Sequence, residues 1–305
     1  WKTDMHSNLW VFPRGMKRNG ETGENSLEWT SRYGSVVTSA FEIASTDGMN
    51  EKGLVANLLW LPETEYPVRD KNKPGLAITA WVQYMLDNFA TVEEAVAYID
   101  EDTFQVVSDM MPDGSRLATL HLSISDATGD CAIFEYIGGK LTVYHSKEYK
   151  VMTNSPTYNK QLALSEYWKS IGGLSFLPGT NRAADRFARA NFYINALPET
   201  DDERIAVASV FSVVRNASVP YGISTPESPE ISTTQWRTVS ESKNLRYFFE
   251  SSLTPNTFWV NLKDFDLSEG APVFKLSIAN GEMYHGNTAK NFKTALPFKF
   301  MGVKG

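Results

Sequence analysis

The spacing of apolar residues changes several times along this chain, and each change predicts an element. Ser35–Ala40 (SVVTSA) is a β-branched run that predicts a strand. Residues 47–53 (DGMNEKG) are dense in turn formers and predict a turn, and the apolar run 54–60 predicts the strand after it, closed by Pro62 and Pro67. From Pro74, Leu76, Ala77, Ala80, Trp81, Tyr84 and Met85 recur at helical spacing. Thr91 followed three residues later by Glu94 forms a capping box, and Val92, Ala95, Val96 and Ile99 give the apolar stripe of the helix it opens.

Short strands are predicted over 117–125, 131–137, 141–145 and 149–153, with turns at 126–130 (DATGD) and 138–140 (GGK). Helical spacing returns over 162–171, 183–196 and 201–216, and strand patterns over 233–240, 245–250 and 258–262. Strands, helices, strands, helices and strands thus follow in segregated runs. That order predicts an α+β fold with mostly antiparallel sheets and helices on their outer faces. Repeats, low-complexity tracts and linkers are lacking, so residues 1–305 read as a single domain.

Composition narrows the chemistry by exclusion. The net charge is −7 and the basic residues are scattered, which argues against nucleic acid as a partner. No stretch reaches the roughly 20 apolar residues of a membrane span, and no signal peptide is visible in the sequence. One cysteine, Cys131, rules out an intrachain disulfide, and the four histidines show no metal-ligand spacing. CxxC, HExxH, Walker and GxSxG motifs are absent, so no metal or other cofactor is expected. Taken alone, the residues support a soluble α+β domain and lead to the expectation of an enzyme, with no reaction specified.

Four blocks add to this. Asn8–Gly15 (NLWVFPRG), 46–54 (TDGMNEKGL), 152–156 (MTNSP) and 177–187 (LPGTNRAADRF) resemble, in order and across nearly the whole chain, blocks of the choloylglycine hydrolase family. The family contains bile salt hydrolases and penicillin V acylases, and the blocks have the flavour of its Gram-negative bacterial members. The resemblance implies an N-terminal-nucleophile hydrolase with a four-layer αββα sandwich, acting on linear, non-peptide amide bonds. In such enzymes the mature chain begins with a cysteine. Its own α-amine, with an ordinary pKa of about 7.7–8.0, serves as the base. The thiolate attacks the amide carbonyl, an acyl-enzyme forms, and water releases the acid.

Carried over to this sequence, the resemblance makes Asn154 a donor of the oxyanion hole and Arg186 the arginine beside the nucleophile. Read without it, Asn154 is a turn residue before Ser155-Pro156 and Arg186 an exposed helix arginine. Arg182 and Arg189 fit a surface role better, although Arg182 lies one turn from Arg186. Trp60 sits where the bile salt hydrolases carry an asparagine. With Trp1 it is expected to line the substrate pocket and to favour a flat acyl group over a steroid; the alternative for both is core packing. Whether Asn57 joins the site is left open.

The family cysteine, and the arginine and aspartate some twenty residues after it, are expected upstream of Trp1. Cys131 does not replace it: it lies within a strand, without a free amine, and reads as a buried structural thiol. His121 and His145, on neighbouring strands, read as satisfied strand histidines. The expected substrates are penicillin V or N-acyl amides such as acyl-homoserine lactones, with bile salts second and an inert, ligand-binding body of the same fold as the non-enzymatic alternative. The resemblance further implies a homotetramer and a periplasmic or secreted location, with small-molecule amides as partners and neither membrane nor nucleic acid.

Overall fold

The computed structural model describes residues 4–100, 102–227 and 232–303. Its strands run, in chain order, β1 Leu9–Phe12, β2 Lys17–Asn19, β3 Glu28–Thr30, β4 Ser35–Ala40, β5 Ala44–Asn50, β6 Val55–Trp60, β7 Gly75–Ala77, β8 Gln105–Val107, β9 Leu120–Ser125, β10 Cys131–Ile137, β11 Lys140–His145, β12 Trp236–Glu241, β13 Arg246–Ser251, β14 Thr257–Asn261, β15 Phe274–Leu276, β16 Gly286–Asn287 and β17 Lys293–Thr294. The helices are α1 Trp81–Asn88, α2 Val92–Asp100, α3 Tyr158–Ile171, α4 Ala183–Ala196 and α5 Glu203–Asn216.

Nine strands form one sheet, in the order β11-β10-β9-β6-β5-β4-β1-β15-β17, and a second holds β12-β13-β14-β16. Neighbours in the large sheet are antiparallel throughout. Alternation along the strands builds two cores from one sheet. Trp10, Phe12, Val37, Ala56 and Leu58 face α1 and α2, where they meet Trp81, Val82, Met85 and Val92. Leu9, Val11, Val36, Met49 and Val55 face the other way and meet Tyr247, Phe249, Phe258 and Val260 of the small sheet. Beyond the small sheet α5 packs on β12, and α4 packs on both α3 and α5. The layers are therefore helix, sheet, sheet, helix, as the segregated pattern and the resemblance imply.

Residues 47–53 depart from the turn reading. β5 runs through Asp47, Gly48 and Asn50, and only Glu51 and Lys52 turn. Each turn-forming residue in the strand has a tertiary purpose. A Cβ on Gly48 would stand 2.5 Å from the Val36 carbonyl oxygen and 2.9 Å from Leu86 of α1, so the glycine lets the helix approach. The Asn50 side-chain amide donates to Leu86 O and Phe89 O, each at 2.8 Å, and closes the end of α1. Asp47 reaches across to the small sheet: Tyr247 Oη donates to it at 2.9 Å, and Thr238 donates as well.

Three further readings shift. Residues 75–77 form a short strand and 78–80 a 3₁₀ turn, so the helix begins only at Trp81. At α2, Glu94 N donates to Thr91 Oγ1 at 3.2 Å as a capping box requires, but Glu94 returns to Ala90 N, and Asp126 caps Val92 N at 2.8 Å. Residues 149–153 are not a strand; they form a loop beyond β11, the edge of the large sheet.

Candidate active site

A cavity of ≈ 500 Å³ opens between the end of β6, the β4–β5 turn, the 109–118 loop and the first turns of α4. Its wall is mostly apolar: Ile43, Leu59, Trp60, Met110 and Met111 line it, joined by Trp236 at the start of β12. The β4–β5 turn at its mouth holds Phe41 and Glu42 at φ 53 and 52, left-handed backbone that non-glycine residues adopt at a cost. Asn154, Arg186 and Asn181 supply polar groups to one side of the cavity.

Asn154 and Arg186, 32 positions apart, meet here. Arg186 Nη2 donates to Asn154 Oδ1 at 2.7 Å, while Asn154 Nδ2 donates to the Trp60 carbonyl at 2.7 Å. These partners fix the orientation of the amide. A guanidinium only donates, so the oxygen must face Arg186; a carbonyl only accepts, so the NH₂ must face Trp60. The NH₂ group has two hydrogens, and the Trp60 bond uses one. Arg186 Nε also donates to Asn181 O at 3.1 Å, so the guanidinium bridges the loop before α4 and the Asn154 side chain. Burial, and then the nearby charge of Arg189, lower the Arg186 pKa from its ordinary value, yet an arginine stays charged in such a setting.

The backbone around Asn154 is held just as closely. Gln161, buried on α3, donates from Nε2 to Asn154 O and to Pro156 O, the latter at 2.8 Å. Thr153 Oγ1 lies 2.7 Å from Gln161 Oε1 and 3.0 Å from Ala183 O, so its single hydrogen is given to one of the two or split between them. The loop therefore spans α3, α4 and β6 with few degrees of freedom left. Asn154 is a turn residue before Ser-Pro and a cavity residue as well; the peptide bond between Ser155 and Pro156 is cis.

The other sequence candidates fall into place around this group. Trp60 lines the cavity and carries the Arg116 guanidinium 4.3 Å from its ring centroid. Trp1 lies outside the described residues. Asn57 pairs with Asp47 within the large sheet and is not among the cavity residues. Arg189 donates to Pro178 O at 2.7 Å and Thr180 O at 2.9 Å, a structural tie, and Arg182 is exposed.

Cys131 is only half-buried, which corrects the buried-thiol reading. It opens β10 directly after the 126–130 turn. Partial burial, with Asp130 and Asp126 beside it, pushes its thiol up to about 11, and it is not among the cavity residues. A thiol so shifted carries little thiolate at neutral pH and makes a poor nucleophile.

Sequence reading passed over Gln161, Arg116 and the Met110–Met111 pair. Gln161 did leave a signal. Tyr158, Gln161 and Ser165 recur at helical spacing and are the buried positions of α3, so a polar residue stands on its inward face. The 109–118 loop also left a signal: Pro112-Asp113-Gly114-Ser115 is a turn sequence, and the structure closes it with Met111 N donating to Arg116 O at 2.8 Å.

Residues 1–275 match the model of the linear amide C–N hydrolases, choloylglycine hydrolase family. The penicillin V acylase of Pectobacterium atrosepticum is 50% identical, over 99% of this chain and 86% of that protein. The solved structure of the penicillin V acylase from Agrobacterium tumefaciens superimposes with a TM-score of 0.93 at 55% identity, covering 99% of this chain and 94% of the other. A variant of the conjugated bile acid hydrolase from Clostridium perfringens has a TM-score of 0.77 at 23% identity, over 90% of each chain, and shares the fold.

Proposed function

The chain belongs to the choloylglycine hydrolase family of linear amide C–N hydrolases, and from that premise we propose that it removes the acyl group from penicillin V or from N-acyl amides such as acyl-homoserine lactones. The observation that carries the reading is the Asn154 amide, locked between Trp60 O and Arg186 at the wall of an apolar cavity. In this reading the second hydrogen of Asn154 Nδ2 donates to the oxygen of the tetrahedral intermediate. One such preorganised donor contributes about 3–4 kcal/mol to the transition state. Arg186 holds the amide in the donating orientation, and its charge favours a thiolate beside it.

The covalent steps follow the resemblance. The reading calls for a cysteine upstream of Trp1 that loses its proton to its own α-amine and attacks the amide carbonyl. The C–N bond then breaks, and the leaving amine takes that proton. Water then gives one proton to the α-amine as it attacks the thioester, the C–S bond breaks, and the acid and the thiolate are freed. Trp60, with the methionine pair, supports a flat or extended apolar acyl group; Met side chains adapt to such shapes. Bile salts rank second, because a ring system as thick as a steroid competes with the Trp60 indole for the same space.

The test compares turnover of penicillin V, a long-chain acyl-homoserine lactone and a conjugated bile salt by the protein as it occurs in cells. The reading expects the first two to exceed the bile salt in kcat/KM, and a thiol alkylator to abolish all three. Faster turnover of the bile salt reverses the ranking; no turnover of any amide leaves a binding body. Asn154→Ala should lower kcat on the order of 10²–10³-fold while leaving the fold intact. A homotetramer and a periplasmic location belong to the same proposal, testable by sedimentation and by osmotic-shock fractionation.

A further inference from the structure

Behind the Asn154 loop lies a buried ionisable pair that the proposed chemistry does not use. The antiparallel register that sets Phe134 opposite Leu122 brings Glu135 of β10 beside His121 of β9, on the face turned away from α1 and α2. Both residues are fully buried. His121 Nδ1 lies 2.9 Å from Glu135 Oε1, and Nε2 lies 2.8 Å from Thr153 O. Glu135 also receives Tyr158 N at the start of α3, at 2.9 Å on Oε2 and 3.2 Å on Oε1.

The partners decide where one proton sits. A backbone carbonyl can only accept, so Nε2 must carry hydrogen and donate to Thr153 O. Between Nδ1 and Glu135 a second proton is shared, whichever atom holds it. Thr153 O belongs to the peptide group joining Thr153 to Asn154. A bond to that oxygen therefore fixes the plane from which the Asn154 side chain starts, while Gln161 fixes the next carbonyl. The row Glu135, His121, Thr153 runs from the rigid sheet to the loop, and the same Glu135 anchors the first turn of α3.

We propose that His121 is a positioning residue for amide hydrolysis: its Nε2–H, steadied by Glu135, holds the Thr153–Asn154 peptide so that the Asn154 amide meets the developing oxyanion. This rests on the reading of Asn154 as the oxyanion donor. Loss of the bond lets the loop drift, and misplacement of a catalytic group by about 1 Å costs on the order of 10²-fold in rate. The cavity wall is untouched, so the loss falls on kcat and not on KM.

Two isosteric substitutions separate the contacts. Asparagine at 121 places its amide near Nδ1 and keeps only the Glu135 contact; glutamine places its amide near Nε2 and keeps only the Thr153 contact. With penicillin V as substrate, His121→Asn is expected to lower kcat on the order of 10²-fold with KM nearly unchanged, and His121→Gln to restore most of it. Equal kcat in the two variants overturns the proposal. If His121→Asn fails to fold, Glu135→Gln carries the test. Its amide can donate to an unprotonated Nδ1 and accept from Tyr158 N, leaving the Nε2–H bond in place, so kcat should stay within about threefold of wild type. A collapse to the level of Asn154→Ala overturns the proposal. Should Asn154→Ala itself retain full turnover, the oxyanion reading fails; an inactive Asn154→Ala beside a fully active His121→Asn removes the positioning role alone.

Discussion

On one face of β9 and β10, Leu122, Ile124, Ala132 and Phe134 press into the core shared with α1 and α2. One residue along the same strands, on the opposite face, His121 bonds to the loop that carries Asn154 and is itself held by Glu135. The two faces use different physics. Apolar contacts have no direction, so the first face stabilises whatever shape fills it, in proportion to the area removed from water. Hydrogen bonds have direction but contribute only about 1 kcal/mol net each, because they replace bonds to water. The His121–Glu135 pair thus contributes little net stability and much geometry, while Ile133 on the same face packs into a small apolar cluster with Tyr158 and Phe187. The sheet gives each strand both at once: strength beneath the helices and a fixed frame beneath the site.

Four substitutions sharpen that contrast or break it. The largest effect is expected on the dry face. Leu122→Ala should cost about 2–5 kcal/mol of stability, read by chemical denaturation, while kcat per folded molecule stays near wild type. A large drop in kcat at a temperature where the variant is folded would mean that the faces are coupled.

Asp47, partly buried where the large sheet meets Thr238 and Tyr247 of the small one, tests what a carboxyl between the sheets costs. Burial pushes its carboxyl from 3.8 up to about 6, against the opposing effect of the hydrogen bonds from Thr238 and Tyr247. An acid whose pKa is raised by folding contributes stability that is fully present below its unfolded pKa and lost as pH rises through the folded value. The gap corresponds to on the order of 3 kcal/mol, lost between about pH 4 and pH 6. Asp47→Asn should flatten the stability profile over that window and raise stability at pH 7 by up to the same amount; an unchanged profile would refute the assignment.

Arg186→Lys tests direction alone. Lysine keeps the charge but not the planar fork that reaches both Asn154 Oδ1 and Asn181 O. A fall in kcat of about tenfold, or 1.4 kcal/mol, is expected with the melting temperature little changed. The smallest effect belongs at the surface. Arg215, half-exposed beside Glu250, shares that carboxylate with Arg237, so Arg215→Ala should cost less than about 1 kcal/mol. A larger loss would move this ion pair from the surface class into the structural one.

Much of the architecture was legible in the chain because it rests on periodicity. β10 and α4 fall where the residue spacing sets them, and α3, α5 and β12–β14 within a few residues. The misses share a cause. Residues 47–50 carry turn formers because Gly48 admits α1 and Asn50 closes it, needs set by a partner far along the chain. Residues 149–153 are β-branched and aromatic, yet no strand pairs with them, and Tyr149, Val151 and Met152 pack instead against Ile133, Tyr158 and Phe187.

The site divides along the same line. Asn154 and Arg186 came forward through ordered blocks that resemble a family, and Trp60 through its position in that resemblance; the structure brings all three to one cavity. His121 and Gln161 did not, because the meaning of a buried polar residue lies in its partner. Composition and spacing by themselves determined the α+β class with mostly antiparallel sheets, and the lack of metal-binding motifs, since burial of apolar faces depends on local pattern; the four-layer order came from the resemblance. The orientation of the Asn154 amide, the shared proton beneath it and the use of Gly48 were decided only by tertiary structure. Hydrogen bonds and close approaches depend on distances of tenths of an ångström between residues far apart in sequence, and only the folded chain sets those distances.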